Sequence, residues 1–240
     1  MGESPIWKGG RVVDGSGLEN QRCESIRGFE SHPFRFKNLA NMKLIKHTNL
    51  IYEYNNFISY NECEEINQWL NPKLEENRNK IERLKSKIRN NIALNVTYLP
   101  PKNINVFLYK KCHNIIQNGY RKYIDDNKFL NYITKNTVYN QEKLHGGLYY
   151  RSYDTSDYYD WHMDFSPSPN EQLLFSFILY LNDDFQGGNT LFINDKLKVT
   201  PSAGTLLCFP CDIYHVHKST KILCGQKNIL WSCLSTKTNI

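Results

Sequence analysis

The sequence lacks the features that mark membrane-spanning, secreted and repeat-built proteins. No apolar run approaches the ~20 residues that cross a bilayer, and residues 1–10 show no basic start followed by an apolar stretch. No internal repeat or low-complexity stretch occurs. We therefore expect a cytoplasmic protein with no membrane partner.

A disulfide framework is also missing. The chain has 7 cysteines, an odd number at irregular spacing. Small buried hydrophobic side chains are the expected role of such cysteines in a reducing compartment. Cys208 and Cys211 have the spacing of a redox motif, but they lie in an apolar run without the exposed, electropositive setting that such motifs need.

The chain has only a small excess of positive over negative charge. The formal net charge is +6, and lysines and arginines are dispersed along the chain. Their densest stretch, residues 80–89, has acidic neighbours and reads as a solvated helix face. We therefore expect no nucleic-acid partner. With 240 residues and 40% hydrophobic content, the chain can build one substantial core.

Residues 1–41 differ from the rest. They hold 6 of the 13 glycines and show neither helical nor strand periodicity, so we expect a disordered tail. Residues 28–32 can be encoded by DNA containing the conserved T-loop sequence of transfer RNA genes, and residues 16–22 by a serine anticodon arm. We hypothesise that this head is a translated serine tRNA gene and that Met42 is the true start.

Residues 42–140 predict the N-terminal strand and supporting helices of one domain. A strand is expected over 44–54, followed by a helix that begins at the capping box of Ser59 and Glu62. A charged helix is expected over 73–91 and an amphipathic one over 104–123. Residues 132–139 fit either element.

Residues 141–240 predict a β-core. Short apolar runs bounded by glycine, proline, asparagine or aspartate are typical of the strands of a sandwich or barrel. These runs are 173–181, 190–193, 204–209 and 228–234.

His162 and Asp164 form the motif with the clearest chemistry. Residues two apart in an extended chain point to the same side, so an imidazole and a carboxylate converge. A distant histidine can complete the 2-His-1-carboxylate set of non-haem Fe(II) oxygenases. The pair alone is common by chance, so its context decides its meaning.

That context resembles the catalytic domain of the prolyl 4-hydroxylase family over roughly residues 51–235. The matching segments, in chain order, are Tyr180-Leu181-Asn182, Gly187-Gly188-Asn189-Thr190, Pro201-Ser202-Ala203-Gly204, His217 and Gly225-Gln226-Lys227. Asn189 stands where the family usually has glutamate. The resemblance implies an α+β fold: a double-stranded β-helix (jelly-roll) core with supporting N-terminal helices.

The resemblance also implies an Fe(II)- and 2-oxoglutarate-dependent dioxygenase. His162, Asp164 and His217 would bind the metal, and dioxygen and 2-oxoglutarate would be consumed. The products would be succinate, carbon dioxide and a hydroxylated substrate, most simply a prolyl residue of a peptide or protein. Relatives use L-ascorbate to rescue iron oxidised in uncoupled turnover.

Two histidines compete for the distal ligand position. His215 and His217 share a face of an extended strand, so periodicity leaves both open. His217 lies ten residues before Lys227, as in the family pattern, and is preferred.

Lys227 would neutralise the remote carboxylate of 2-oxoglutarate, a charge that needs a cation inside a barrel. Tyr153 stands near the family tyrosine that hydrogen-bonds the same carboxylate, although a packing tyrosine is an equal alternative. Thr190 and Ser232 are further polar candidates for the pocket.

Several aromatic residues precede the metal motif and support two readings, a groove for an extended peptide or ordinary core packing. They are Tyr149, Tyr150, Tyr158, Tyr159 and Trp161. Alternative functions are the same chemistry on a small molecule or nucleic-acid base, and a non-enzymatic β-barrel metal-binding module. The base-directed branch carries a second basic residue six positions after the cation, where this chain has Cys233.

Overall fold

The structure is a computed structural model that describes residues 42–77, 84–85, 88–99, 105–136, 147–164, 171–194 and 196–237. The predictions made for residues 1–41 lie outside this range. The described chain begins with a hairpin in which β1 (Lys43–Lys46) pairs antiparallel with β2 (Tyr52–Asn55). The single strand expected over 44–54 is therefore two strands, because Thr48 Oγ1 accepts hydrogen bonds from the backbone of Leu50 and Ile51 and turns the chain.

The first helix, α1 (Tyr60–Asn77), begins where the capping box predicts. Ser59 Oγ accepts a 3.3 Å hydrogen bond from the Glu62 backbone, and the Glu62 carboxylate accepts a 3.0 Å bond from the Ser59 backbone. These reciprocal bonds satisfy amide groups that a helix start leaves without partners.

The charged helix expected over 73–91 is wrong. Helix α1 ends at Asn77, and the chain then forms β3 (Leu84–Lys85) and β4 (Arg89–Asn95). Within β4, Ile92 and Leu94 are buried while Ala93 between them is half-buried, which is strand periodicity. The high charge of this segment indicates exposure to solvent but does not distinguish a helix from a strand. The alternation of buried and half-buried residues in β4 is too short to be recognised in the sequence among polar neighbours.

Two more helices complete the α-layer. Helix α2 (Val106–Asp126) matches the amphipathic segment expected over 104–123, and α3 (Lys128–Asn136) follows directly. Asn127 separates them, since its side-chain oxygen accepts bonds from the backbone of Phe129 and Leu130. The ambiguous segment 132–139 is thus helical as far as residue 136. None of the helices described here has the length and apolar character needed to cross a membrane.

The remaining described chain is built from short strands. They are β5 (Tyr149–Tyr153), β6 (Tyr158–His162), β7 (Glu171–Tyr180), β8 (Gln186–Gly187), β9 (Thr190–Phe192), β10 (Leu197–Val199), β11 (Leu206–Pro210), β12 (His217–Ser219), β13 (Ile222–Cys224) and β14 (Lys227–Lys237). The four apolar runs predicted as strands correspond to β7, β9, β11 and β14.

The strands form one long antiparallel sheet that curls on itself. Its order is β1-β2-β11-β7-β14-β5-β4-β6-β12-β9-β10, with β3 beside β4, and β8 and β13 form a separate pair. Strand β4 joins the two halves, because Ile92–Asn95 pairs with β5 whereas Arg89 and Asn90 pair with β6. Side chains from both halves consequently line one pocket.

Alternation along the central strands creates two cores. On β7, Phe177 and Leu179 pack with the helices, while Ile178 and Tyr180 point into the curled sheet. On β14, Leu230 faces the helices and Trp231 faces inward in the same way. The helices therefore support the outer face of the two strands whose inner face carries the pocket.

We expect a chain that starts at Met42 to melt within about 2 °C of the full chain, because the glycine-rich head has no apolar periodicity with which to pack. A chain that starts at Leu50 is the control: it also loses β1, whose Leu44 packs against the helical core, and should melt several degrees lower. Calorimetry of the three chains measures this. A clear loss on removing residues 1–41 alone would contradict the tail hypothesis.

Candidate active site

Three side chains that can bind a metal converge inside the curled sheet. His162 ends β6, Asp164 follows two residues later, and His217 begins β12. These strands are antiparallel neighbours whose register sets His217 opposite His162. Their ligand atoms all lie within 4.8 Å of one another. The Asp164 carboxylate oxygens are 3.7 Å from Nε2 of His162 and 3.8 Å from Nε2 of His217.

Backbone carbonyl groups orient both imidazoles. Nδ1 of His162 lies 2.7 Å from the Asp160 carbonyl oxygen, and Nδ1 of His217 lies 3.1 Å from the His215 carbonyl oxygen. Because a carbonyl oxygen can only accept, Nδ1 carries the proton in each ring. Nε2 therefore keeps its lone pair and faces the carboxylate, as metal coordination requires.

Burial sets the protonation of the cluster. It lowers the pKa of His162 to about 4, with a further contribution from His217, and it also lowers the pKa of His217. Burial alone would raise the pKa of Asp164, but His217, His162 and a hydrogen bond from Ser176 together hold it below its usual value. At neutral pH the site thus offers two neutral imidazoles and one carboxylate, the donor set suited to Fe(II).

A hydrogen-bond chain fixes the carboxylate from behind. Trp231 Nε1 donates to Ser176 Oγ at 2.7 Å, and Ser176 Oγ donates to Asp164 Oδ2 at 2.7 Å. Both supporting side chains are buried on the inner faces of β14 and β7. Asp164 Oδ1, which faces His162, is left to act as the ligand atom.

Lys227 is the buried cation of the same pocket. Its side chain is 2% exposed, and it forms no ion pair with any residue in the described part of the chain. Its Nζ donates to the Gly188 carbonyl oxygen at 2.7 Å and to Ser219 Oγ at 3.0 Å. Burial lowers the pKa of Lys227 to about 7. A carboxylate arriving beside this amine would restore its charge, so the residue fits an anion-binding role.

Two tyrosines surround the lysine. Tyr153 lies opposite Lys227 in the pairing of β5 with β14, and its ring centroid is 5.4 Å from Nζ. The ring of Tyr180 lies at the same 5.4 Å, and its hydroxyl group is 2.8 Å from Thr190 Oγ1. In the sequence, Tyr180 stands out only as part of the motif Tyr180-Leu181-Asn182. The alternation of Ser176, Ile178 and Tyr180 on β7 is the signal that could have placed it in the pocket.

Of the other residues predicted for the site, one lies in the pocket and two lie outside it. His215 lies in a 3₁₀ turn, Ile213–His215, where its Nδ1 is 2.7 Å from Asp212 Oδ1, away from the ligand cluster. Thr190 lines the pocket, whereas Ser232 does not, because it lies on the other face of β14 from Trp231.

The aromatic residues divide between the two readings left open. The hydroxyl group of Tyr150 bonds to Asn67 and Asn71 on α1, so this residue packs in the core. The ring of Tyr159 stacks on His162 with centroids 3.4 Å apart. Trp161 is 37% exposed but lies on the opposite face of β6 from His162, where Lys218 Nζ is 4.5 Å from its ring centroid.

A second, wider cleft lies between α1 and the loops around Asn182 and Gln226. Its lining is mostly amide side chains, and the metal-binding cluster is elsewhere. The chemistry of its lining therefore makes the narrower pocket the candidate site. Its lining residues are Arg151, Tyr153, Tyr159, His162, Asp164, Ile178, Thr190, His217, Ser219, Lys227, Ile229 and Trp231.

The segment that carries this site matches a known protein family. Residues 148–232 match the model of the 2OG-Fe(II) oxygenase superfamily. The matched segment makes up most of the β-core. The matched segment contains all three candidate ligands and Lys227. No curated protein sequence matches the chain.

Solved structures show where the fold recurs. A viral collagen prolyl hydroxylase from Paramecium Bursaria Chlorella virus-1, with 2-oxoglutarate, aligns with a TM-score of 0.56 and 20% identity over 78% of this chain and 96% of that one. A prolyl-4-hydroxylase from Pseudomonas putida aligns with a TM-score of 0.54 and 16% identity, over 78% and 93%. A Trichoplax adhaerens prolyl hydroxylase in complex with a hypoxia inducible factor peptide fragment aligns with a TM-score of 0.51 and 17% identity, over 78% and 84%.

These matches confirm the expected double-stranded β-helix core with supporting helices. They also confirm that the chain is a 2-oxoglutarate-dependent dioxygenase of prolyl 4-hydroxylase-like architecture, and that Fe(II) and 2-oxoglutarate are its cofactor and co-substrate.

We expect Ser176→Ala to weaken metal binding by about 10–100-fold, because the carboxylate ligand loses the hydroxyl that orients it. Titration with Co(II), followed by its visible absorption, measures the affinity. Ser232→Ala is the matched control, a buried serine on the outer face of β14 that should leave the affinity unchanged. Equal affinities for wild type and Ser176→Ala would remove Ser176 from the support of the site.

We expect Lys227→Met to raise the melting temperature at pH 6 and to raise it less as the pH increases toward 10. The folded-state pKa of about 7 lies below the ordinary lysine pKa of 10.5, so the unfolded chain binds more protons than the folded chain between these pH values. The penalty of burying this amine is complete below pH 7 and fades as the pH rises.

Thermal melts across this pH range, without added metal or 2-oxoglutarate, measure the effect. Lys198→Met, which removes an exposed lysine from β10, is the matched control and should show no such trend. The same Lys227→Met protein should bind 2-oxoglutarate about 10–100-fold more weakly, since a charge-assisted hydrogen bond is lost. A stability difference that grew with pH would contradict a buried, desolvated amine.

Proposed function

We propose that this protein is an Fe(II)- and 2-oxoglutarate-dependent hydroxylase that acts on prolyl residues of a peptide or protein. The observation that carries the proposal is the placement of an Fe(II)-type donor set and a buried lysine without an ion pair in one pocket. A non-enzymatic metal-binding module would have no use for this lysine, whose burial is costly.

Three side chains would bind the metal ion together. His162, Asp164 and His217 would occupy one side of the metal and leave the other side for co-substrate and dioxygen. Fe(II) and 2-oxoglutarate, when bound, supply the oxidising chemistry that replaces a C–H hydrogen by a hydroxyl group. Ser176 and Trp231 hold the carboxylate ligand in one orientation throughout.

The co-substrate is positioned by the lysine that shares the pocket with the triad. Lys227, with Tyr153 and Tyr180 beside it, would bind the remote carboxylate of 2-oxoglutarate. Ile178 and Ile229 also line the pocket, and their apolar side chains limit the entry of water. A low-dielectric wall strengthens the attraction between lysine and carboxylate.

The prolyl substrate is inferred from the relatives. One structural neighbour is a collagen prolyl hydroxylase, and another was solved with a peptide fragment. We expect no nucleic-acid substrate, because the residue six positions after Lys227 is Cys233, a buried thiol.

The test is formation of succinate from 2-oxoglutarate in the presence of Fe(II), screened over proline-containing peptides and free amino acids. Wild type should form succinate, and a substrate peptide should gain one oxygen atom by mass spectrometry. Asp164→Ala should abolish both, since Asp164 is the anionic ligand of the cluster. Turnover by Asp164→Ala at the wild-type rate would refute the metal assignment, and oxidation of free amino acids alone would refute the peptide substrate.

The two neighbouring histidines provide an internal control. His217→Ala should eliminate iron-dependent turnover, whereas His215→Ala should retain much of it, because His215 is paired with Asp212 outside the cluster. Melting curves of both variants must match wild type for the comparison to count. The reverse result with folding intact would assign the metal to His215.

A further inference from the structure

A second buried cation shares the pocket and is not used by the proposed chemistry. Arg151 lies in the middle of β5 and is 9% exposed. Alternation places Tyr149, Arg151 and Tyr153 on one face of this strand, and Arg151 lines the pocket together with the triad. Arginine in such a setting is rare unless it is paired.

Arg151 has no such pair. Its Nε is buried without a hydrogen-bond partner, and the guanidinium forms no ion pair with any residue that the structure describes. Removing an unpaired charge from water costs several kcal/mol, and arginine cannot lose its proton to avoid this cost. The arrangement is therefore unfavourable for folding and suits a ligand.

Aromatic rings hold the guanidinium in place. Its Cζ lies 4.3 Å from the ring centroid of Trp231 and 6.0 Å from that of Tyr159. Trp231 is itself fixed by Ser176, and Tyr159 is stacked on His162. Rings that stack on the guanidinium leave its N–H edge free to bind an anion.

The net charge of the pocket with Fe(II) and 2-oxoglutarate bound indicates which further charge the pocket would accept. The two positive charges of Fe(II) and the charge of Lys227 are offset by Asp164 and the two carboxylates of 2-oxoglutarate. Arg151 then remains as one uncompensated positive charge next to the metal site. One further carboxylate would neutralise it.

Asp164 does not already fill this role. Its carboxylate has Ser176, His162 and His217 as neighbours and makes no ion pair with Arg151. Arg151 does help to lower the pKa of Asp164, but only after both histidines and Ser176.

We propose that Arg151 binds a carboxylate of the substrate, so that this site takes substrates with an acidic group close to the carbon that is hydroxylated. The inference rests on the proposed function and narrows its substrate class. That carboxylate is either the α-carboxylate of a C-terminal residue or an acidic side chain within a peptide.

The test uses the full-length protein with Zn(II), which is redox-inert, and 2-oxoglutarate. Calorimetry first measures the binding of both. The Nε–H resonance of Arg151, assigned from its loss in Arg151→Lys, is then followed during two pairs of titrations. N-acetyl-L-proline is compared with N-acetyl-L-prolinamide, and the α-amide of N-acetyl-L-glutamate with that of N-acetyl-L-glutamine.

In at least one pair, the carboxylate should shift this resonance saturably and bind about 10-fold or more tightly than its amide, as expected for a charge-assisted hydrogen bond. The pair that responds identifies the source of the carboxylate. In Arg151→Gln the difference between acid and amide should disappear, while 2-oxoglutarate and Zn(II) bind within about threefold of wild type. Arg89→Gln is the matched control, because Arg89 contacts the same Tyr159 ring from outside the pocket.

Three results would overturn the proposal. One is no saturable shift in either pair, and another is equal binding of acid and amide. The third is a loss of 2-oxoglutarate or Zn(II) binding in Arg151→Gln, which would assign Arg151 to the co-substrate or the metal. Failure of wild type to bind 2-oxoglutarate would instead count against the proposed function, and the same titrations without Zn(II) would still test Arg151.

Discussion

The pairing of β6 with β12 is the constraint on which the site depends. These strands belong to distant parts of the chain, and their register sets His217 directly opposite His162. A shift of one residue would turn every side chain of β12 to the other face of the sheet. Formation of the donor set therefore depends on the register of the folded sheet.

Three charged side chains are buried in the pocket, and their burial lowers the stability of the fold. Asp164, Lys227 and Arg151 all lie inside the curled sheet, and only Asp164 has histidines and a serine hydroxyl close to its charge. The two cations are held by aromatic rings and neutral oxygen atoms instead. An interior of this kind is less stable than an apolar one and is kept for the ligands that complete it.

Much of the site could be predicted because its residues carry their geometry in the sequence. The spacing of His162 and Asp164 implies convergence in an extended chain, and the run of motifs up to Lys227 carries the family resemblance. The choice of His217 over His215 rested on spacing to Lys227, and among the described residues His217 lies in the cluster while His215 does not. Periodicity alone could not decide, because the 3₁₀ turn at His215 departs from the extended chain that periodicity assumes.

The features that could not be predicted depend on contacts between distant residues. Strand β4 lies in a polar segment, and only its pairing with β5 and β6 explains why it is extended rather than helical. Arg151 reads as an ordinary strand arginine until Trp231 and Tyr159 are seen to surround it. Tertiary packing overrides local propensity at such positions.

The support of Lys227 has a consequence for the size of molecule that the pocket accepts. Its amine is tied to the Gly188 carbonyl oxygen and to Ser219, so its distance from the triad is set by the protein. Gly188 has a φ of +64°, and a Cβ there would lie 3.1 Å from Cδ of the lysine and closer still to Phe185 and Ile222, so a larger residue at this position would disturb the support of the lysine. The fold rather than the ligand therefore determines where the amine meets an incoming carboxylate, and a dicarboxylate must match this placement to reach the amine and the triad together.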